Sequence, residues 1–260
     1  MRYRSMIFGA ALVWATAWSS PSPAQASFKG VDFPTADGLE ARADLYEPEK
    51  ESPTLILLFH QAGWSRGEYR EIAPKLTKLG YRVMAVDQRS GGGVNGVMNE
   101  TAARAKKKGR PRGYLDAYAD LESALMFART KLHAKRIIAW GSSYSASLVL
   151  RLAAEHSDEV TAVVAFSPGE YFKQSKGPSY VEGLAKHVKQ PLFITSAKQE
   201  RGQVKPIFDA SPSQKKILFT PASRGQHGSR ALWEKWPDHD VYWTAIKGFL
   251  TEYAPARPAN

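Results

Sequence analysis

The chain contains no cysteine. Disulfides, thiolate metal sites and a cysteine nucleophile are therefore excluded, and stability has to come from a packed core. Long apolar runs are scarce too. The first, Met6 to Trp18, is too short to span a bilayer comfortably. It follows Arg2 and Arg4 and leads through a Ser/Pro stretch to Ala24-Gln-Ala26, the charged, apolar and small-residue order of a secretory signal. Cleavage is expected after Ala26, with retention as an anchor the alternative. That reading places a single domain over 27–260 in the periplasm or outside the cell, with no integral membrane span once the signal is removed.

Other absences narrow the chemistry. No His-Glu-x-x-His spacing is present, and Gly91-Gly-Gly93 lacks the Lys-Ser/Thr of a phosphate loop, so neither a metal nor a nucleotide cofactor is expected. Acidic side chains are in deficit, 25 against 36 Lys and Arg, for a net charge of +11. Arg2 and Arg4 are the only charged residues before Ser27, so +9 remains after signal removal. Such an excess attracts anionic surfaces, and an anionic envelope polymer is a candidate partner. No helix-turn-helix, zinc-finger or RNA-binding signature accompanies it, so nucleic acid is not expected.

What is present is a rhythm of strands and helices. Two short strands flank Asp37-Gly38, a dipeptide suited to a tight hairpin. Pro53 to His60, Tyr81 to Asp87, Arg136 to Ser142, Val160 to Phe166, Pro191 to Ser196 and Lys216 to Thr220 are mostly continuous apolar runs, the pattern of strands covered on both faces. Helical patterns separate them: one closed by Gly80, one from Leu115 to Lys131 with Leu115, Tyr118, Leu121, Leu125 and Met126 on a core face, and a last one from Val241 to Tyr253. This alternation predicts an α/β fold with a mainly parallel sheet and helices on both faces. The segments Val94 to Gly113, with its basic run Lys106 to Arg112, and Tyr171 to Gln190 break the rhythm and are expected to be small cap insertions. Ala254 to Asn260 is expected to be a frayed tail.

The chemistry gathers where strands end. Trp140-Gly-Ser-Ser-Tyr-Ser145 joins a strand to a helix, and Ser143 is the candidate nucleophile. Gly141 supplies the small residue needed two positions before it, whereas Ser142 would place Trp140 there and Ser145 lies too far into the helix. His227, in Gly225-Gln-His-Gly228 after the last strand, is the candidate general base, with His239 a rival. Glu200 follows another strand. Loops after parallel strands emerge at one edge, so Ser143, Glu200 and His227 are expected to converge, in a serine, acid, histidine order known for this geometry.

The chain resembles the α/β-hydrolase fold family and is similar to its dienelactone-hydrolase-like branch over residues 33–253. Gly141-Ser-Ser-Tyr-Ser145, His60-Gln-Ala-Gly63, Asp87-Gln-Arg89 and Gln226-His-Gly228 carry the resemblance. It implies a serine hydrolase acting on an ester or lactone as small-molecule substrate. The same fold also carries serine peptidases and non-catalytic binding proteins. By resemblance the acid lies just after the 191–196 strand, where Glu200 is the first choice and Asp209 the second. The oxyanion donors implied are the Tyr144 N–H and one from Ala62 or Gln61, with His60 shaping that loop. Two departures stand out: Ser145 occupies the second glycine position of G-x-S-x-G, and the cysteine nucleophile of dienelactone hydrolases proper is absent.

Overall fold

The computed structural model describes residues 27–257; the expected signal, residues 1–26, lies outside the described residues, as do 258–260. The strands are β1 (Lys29–Pro34), β2 (Glu40–Tyr46), β3 (Thr54–Phe59), β4 (Arg82–Val86), a small ribbon of β5 (Gly93–Val94) and β6 (Val97–Met98), then β7 (Arg136–Ser142), β8 (Ala162–Phe166), β9 (Leu192–Thr195) and β10 (Lys216–Phe219). Between and after them run α1 (Ile72–Lys78), α2 (Glu100–Lys107), α3 (Tyr118–Thr130), α4 (Tyr144–Glu155), α5 (Lys173–Lys176), α6 (Tyr180–Ala185), α7 (Arg201–Ala210) and α8 (His239–Tyr253). No helix among the described residues is long and apolar enough to cross a membrane.

Apart from the ribbon, the strands form one eight-stranded sheet in the order β1-β2-β4-β3-β7-β8-β9-β10. The β1–β2 and β2–β4 pairs are antiparallel and the remaining pairs are parallel. Side chains alternate across a strand, and β3 uses both faces. Leu55, Leu57 and Phe59 join a core with α3, α4, α6 and α7, while Ile56 and Leu58 join a second core with α1 and α8. Each such side chain withdrawn from water contributes about 1.5–3 kcal/mol before entropy is counted. This two-sided burial explains why the central strands read as unbroken apolar runs.

The register sets up the reactive edge. Phe59 pairs with Gly141, Ser142 with Phe166, Phe166 with Thr195, and Thr195 with Phe219. The residues that follow, among them His60, Ser143, Ser167 and Ala197, therefore line one rim of the sheet.

Three expectations need correction. The 171–190 segment is more than a small cap insertion, because α6 packs between α4 and α7, and Val181, Ala185 and, just beyond the helix, Val188 are buried in the core. Its lysines alternate with an apolar set that seals the sheet. Residues 254–257 are not frayed: Ala254 is buried, the carbonyls of Pro255 and Ala256 accept from Thr54 Oγ1 and Ser52 Oγ, and Arg257 donates to Lys50 and Glu51 carbonyls. Met126 faces solvent rather than the core. The basic run is helical in part. Its α2 lies against β2, with Arg104 paired to Asp32, Ala105 buried and residues 106–112 exposed.

Candidate active site

The β7–α4 junction turns on Ser143, whose φ of 59° and ψ of −123° lie in a region that non-glycine residues rarely occupy. Gly141 makes the turn feasible, because a Cβ there would sit 2.2 Å from the Ser145 carbonyl oxygen. The departure at position 145 has a physical reason. Ser145 is fully buried, its Oγ donates to the His60 carbonyl at 2.6 Å, and it accepts from Gln88 Nε2 at 2.6 Å. A glycine there would lose both ties between the elbow helix and the ends of β3 and β4.

The structure brings Ser143, His227 and Glu200 together. Ser143 Oγ lies 2.8 Å from His227 Nε2, and His227 Nδ1 lies 2.6 Å from Glu200 Oε1. With a carboxylate at Nδ1, the neutral ring carries its proton there and leaves Nε2 to accept from the serine hydroxyl. The second Glu200 oxygen accepts from Ser167 Oγ at 2.7 Å and from the Ala197 N–H at 3.1 Å. Partial burial raises the Glu200 pKa, but the hydrogen bonds from His227 and Ser167 outweigh it and hold the carboxyl below its ordinary value. Ser167 also accepts from the Gly228 N–H at 3.0 Å, which fastens the histidine loop to the end of β8.

The rival residues lie elsewhere. Asp209 is half-exposed near the end of α7 and pairs with Lys205. His239 opens α8, where its Nδ1 meets the Trp236 carbonyl at 2.8 Å and its Nε2 faces Asp240 at 3.2 Å. His156 sits between Glu122 and Glu159.

On the other side of Ser143, the β3–α1 loop presents the Gln61–Ala62 peptide. The Gln61 N–H is engaged, donating to Glu68 Oε2 at 2.8 Å. The Gln61 carbonyl accepts from His60 Nδ1 at 2.8 Å. His60 Nε2 accepts from the Gln88 N–H at 3.0 Å, and complete burial lowers the His60 pKa to about 4, so the ring stays neutral. Since the peptide is trans, the Ala62 N–H points opposite the Gln61 carbonyl and away from His60. Of the two expected donors on this loop, Ala62 is the one left available. The Tyr144 N–H, at the head of α4, is among the amides that a helix start leaves without an intrahelical acceptor.

Several contributors were given no individual role from the sequence. Asp87, Gln88 and Arg89, quoted as one motif, each brace a different neighbour. Asp87 holds Arg66, Gln88 holds Ser145 and Tyr144, and Arg89 pairs with Asp37 at 2.7 Å and Asp120 at 2.9 Å. Tyr171 lies beside Ser143 and donates to the Ser167 carbonyl at 2.9 Å, and Tyr114 stacks on Tyr144 with ring centroids 4.6 Å apart. Both phenols remain partly exposed, Tyr171 beside the serine and Tyr114 against the residue that follows it. Tyr171 was hidden in a segment read as a cap, and Tyr114 lies just past the end of the other, beyond Gly113.

A mainly parallel sheet with a strained serine elbow at its carboxyl edge, facing a histidine and an acid from later loops, defines an α/β hydrolase. Residues 50–234 match the model of the hydrolase family described as serine aminopeptidase, S33, and the chain belongs to that family. Among curated proteins, a thiohydrolase of Arthrinium phaeospermum is 30% identical over 143 residues, covering 53% of this chain and 42% of that protein. The chain thus spans well under half the length of that relative. Among solved structures, an esterase of Pyrococcus furiosus is similar at a TM-score of 0.66 and 19% identity, over 87% of this chain and 93% of the other. A dienelactone hydrolase of Anabaena variabilis gives 0.67 and 16%, over 88% and 99%. At these identities the likeness is one of fold, and in fold the chain is dienelactone-hydrolase-like.

Proposed function

We propose that the protein is an exported serine hydrolase that cleaves an ester or lactone through an acyl-enzyme. The observation that carries this reading is the continuous hydrogen-bonded chain from Ser143 through His227 to Glu200, starting at a residue of positive φ. Ser143 Oγ attacks the acyl carbon while His227 Nε2 takes its proton, and Glu200 keeps the ring oriented and stabilises the imidazolium. The carbonyl oxygen gains a negative charge opposite the Tyr144 and Ala62 N–H groups. Collapse of this intermediate breaks the bond to the leaving oxygen, which receives the proton from His227. Water then repeats the sequence on the acyl-serine, passing a proton to His227 and releasing the acid and the free serine.

The family's aminopeptidase description and the thiohydrolase relative keep amide and thioester substrates as the second reading. One acyl group presented as p-nitrophenyl ester, thioester and aminoacyl amide separates them. Fastest turnover of the oxygen ester or lactone supports the first reading, and preference for the amide overturns it in favour of a peptidase. A protein that turned over none of these and resisted fluorophosphonates would be a binding protein on the same scaffold. Export rests on residues 1–26, and a mature amino terminus at Ser27 is the expected mass-spectrometric result. The exposed basic residues 106–112 support an anionic envelope surface as a physical partner, tested by salt-sensitive retention.

A further inference from the structure

The proposed chemistry uses none of the buried acids Asp44, Asp87, Asp120 and Glu68, and whereas the three aspartates pair with Arg66 or Arg89, Glu68 bonds only to neutral groups of the site. Glu68 is fully buried within the short 3₁₀ turn Arg66–Tyr69, between β3 and α1. The turn is rigidly held. Arg66 is itself buried and pairs with Asp44 at 3.0 Å and with Asp87, Ser65 Oγ accepts from the Gly67 N–H, the Tyr69 hydroxyl donates to the Phe59 carbonyl at 2.7 Å, and Trp233 Nε1 donates to the Glu68 carbonyl at 2.9 Å.

From that platform the carboxyl reaches two parts of the site at once. Oε2 accepts from the Gln61 N–H at 2.8 Å, and Oε1 accepts from Ser142 Oγ at 2.7 Å. Ser142 adjoins the nucleophile, and its Oγ accepts in turn from the Ser229 N–H at 2.9 Å, two residues beyond His227. A Cβ on Gly228 would lie 2.5 Å from Ser142 Oγ, 2.8 Å from Gln61 Oε1 and 3.8 Å from Glu68 Oε1, so these oxygens converge beneath the histidine loop. Gln61 Oε1 is buried there without a donor. The cluster holds more acceptors than donors, so a proton on Glu68 adds a donor where one is lacking. Consistently, burial raises the Glu68 pKa to about 7 against the opposing bonds from Ser142 and Gln61 and the nearby charges of His227 and Arg230. Tyr69 is the other titratable group close to it.

We propose that Glu68 is a positioning residue for the hydrolytic step: by clamping the Gln61 N–H and Ser142 Oγ together, it fixes the Gln61–Ala62 peptide so that the Ala62 N–H meets the developing oxyanion. The carboxyl touches no reacting atom and acts through the Gln61 peptide, with His60 holding the carbonyl end of that peptide. This inference rests on the serine-hydrolase reading.

The test compares Glu68→Leu with Glu68→Gln in the full chain, using a p-nitrophenyl ester and a trifluoromethyl ketone that adds reversibly to the serine. Leucine removes both acceptors, and kcat is expected to fall about 100-fold with KM within about threefold, as for loss of one oxyanion donor. The ketone's inhibition constant should rise by the same factor, which a merely structural defect would not produce. Glutamine keeps an acceptor for the Gln61 N–H and brings an N–H donor into the acceptor-rich cluster, and should restore kcat to within about fivefold of the parent. Parental kcat in a folded Glu68→Leu protein, a loss confined to KM, or glutamine no better than leucine would each overturn the role. Should the leucine variant not fold, Ser142→Ala decides: a kcat loss of about tenfold is expected for one lost buried tie, and parental kcat overturns the proposal. Ser143→Ala measured in parallel separates the two claims. Parental turnover in that variant ends the serine-hydrolase reading and this one with it, whereas an inactive Ser143→Ala beside a fully active Glu68→Leu ends the positioning role alone.

Discussion

Replacing Glu200 by glutamine changes one oxygen to an amide nitrogen, and the surrounding donors decide which one. Oε2 receives two donors, the Ser167 hydroxyl at 2.7 Å and the Ala197 N–H at 3.1 Å, whereas Oε1 faces only His227 Nδ1 at 2.6 Å. Turning the amide nitrogen toward Ser167 and Ala197 would set it against the Ala197 N–H, at a cost of about 1–3 kcal/mol for that buried conflict. The amide oxygen therefore takes the Oε2 position and the NH2 group meets His227. Nδ1 must then accept, the ring proton moves to Nε2, and the nitrogen facing Ser143 can no longer take a proton. A wrong tautomer in such a chain typically lowers kcat about 10⁴-fold, equivalent to about 5 kcal/mol of transition-state stabilisation. Steady-state ester hydrolysis at pH 7.5 measures it, with the melting temperature as a check on folding. KM is expected to stay within about threefold, since no binding contact is touched. A Glu200→Gln protein that retained kcat within tenfold of the parent would refute the argument and show that Glu200 does not set the tautomer.

Other consequences are equally concrete. The Glu68 carboxyl is raised from 4.5 to about 7, so the folded state holds its proton where the unfolded chain has lost it. Its contribution to stability is fully present below about pH 4.5 and lost as pH rises to about 7, a penalty of about 3 kcal/mol at higher pH. Glu68→Gln removes that penalty, and denaturant titrations should find it more stabilised relative to the parent at pH 8 than at pH 5; an equal difference at both contradicts the buried ionisation. Gly141→Ala places a Cβ 2.2 Å from the Ser145 carbonyl and 2.5 Å from the Ala146 nitrogen, both backbone atoms that cannot step aside. A loss of about 1–3 kcal/mol or more and of most activity is expected by thermal melting and turnover, and a parental melt would show the elbow to be looser than described. Asp209→Asn and His239→Ala should leave kcat within twofold in the ester assay, because neither side chain approaches Ser143.

Much of the architecture was legible because its physical causes are local. Strands buried on both faces, such as β3, have no polar face to interrupt their apolar run, and Gly141 before Ser143 meets a steric demand that can be read without coordinates. Convergence of Ser143, Glu200 and His227 followed from the common direction of parallel strands. Glu200 was preferred to Asp209 by resemblance alone, and the partner of each carboxylate, histidine in one case and Lys205 in the other, is a tertiary fact that only the structure gives. Glu68 was invisible for a related reason: a glutamate in the polar sequence Arg66-Gly-Glu-Tyr-Arg70 reads as a surface charge, and only the fold shows both oxygens committed inward. The α6 segment misled because lysines surround its Val181, Leu184, Ala185 and Val188. The tail misled because its anchors are backbone carbonyls, which leave no trace in side-chain pattern.

The central claim is that Ser143 is a nucleophile activated by His227. Incubating the protein with a fluorophosphonate and mapping the adduct by peptide mass spectrometry tests it most directly. One phosphonyl group per chain is expected, carried by Ser143, absent from Ser143→Ala and formed at least about 10³-fold more slowly in His227→Ala. No adduct, or an adduct on Ser142 or Ser145 instead, would contradict it.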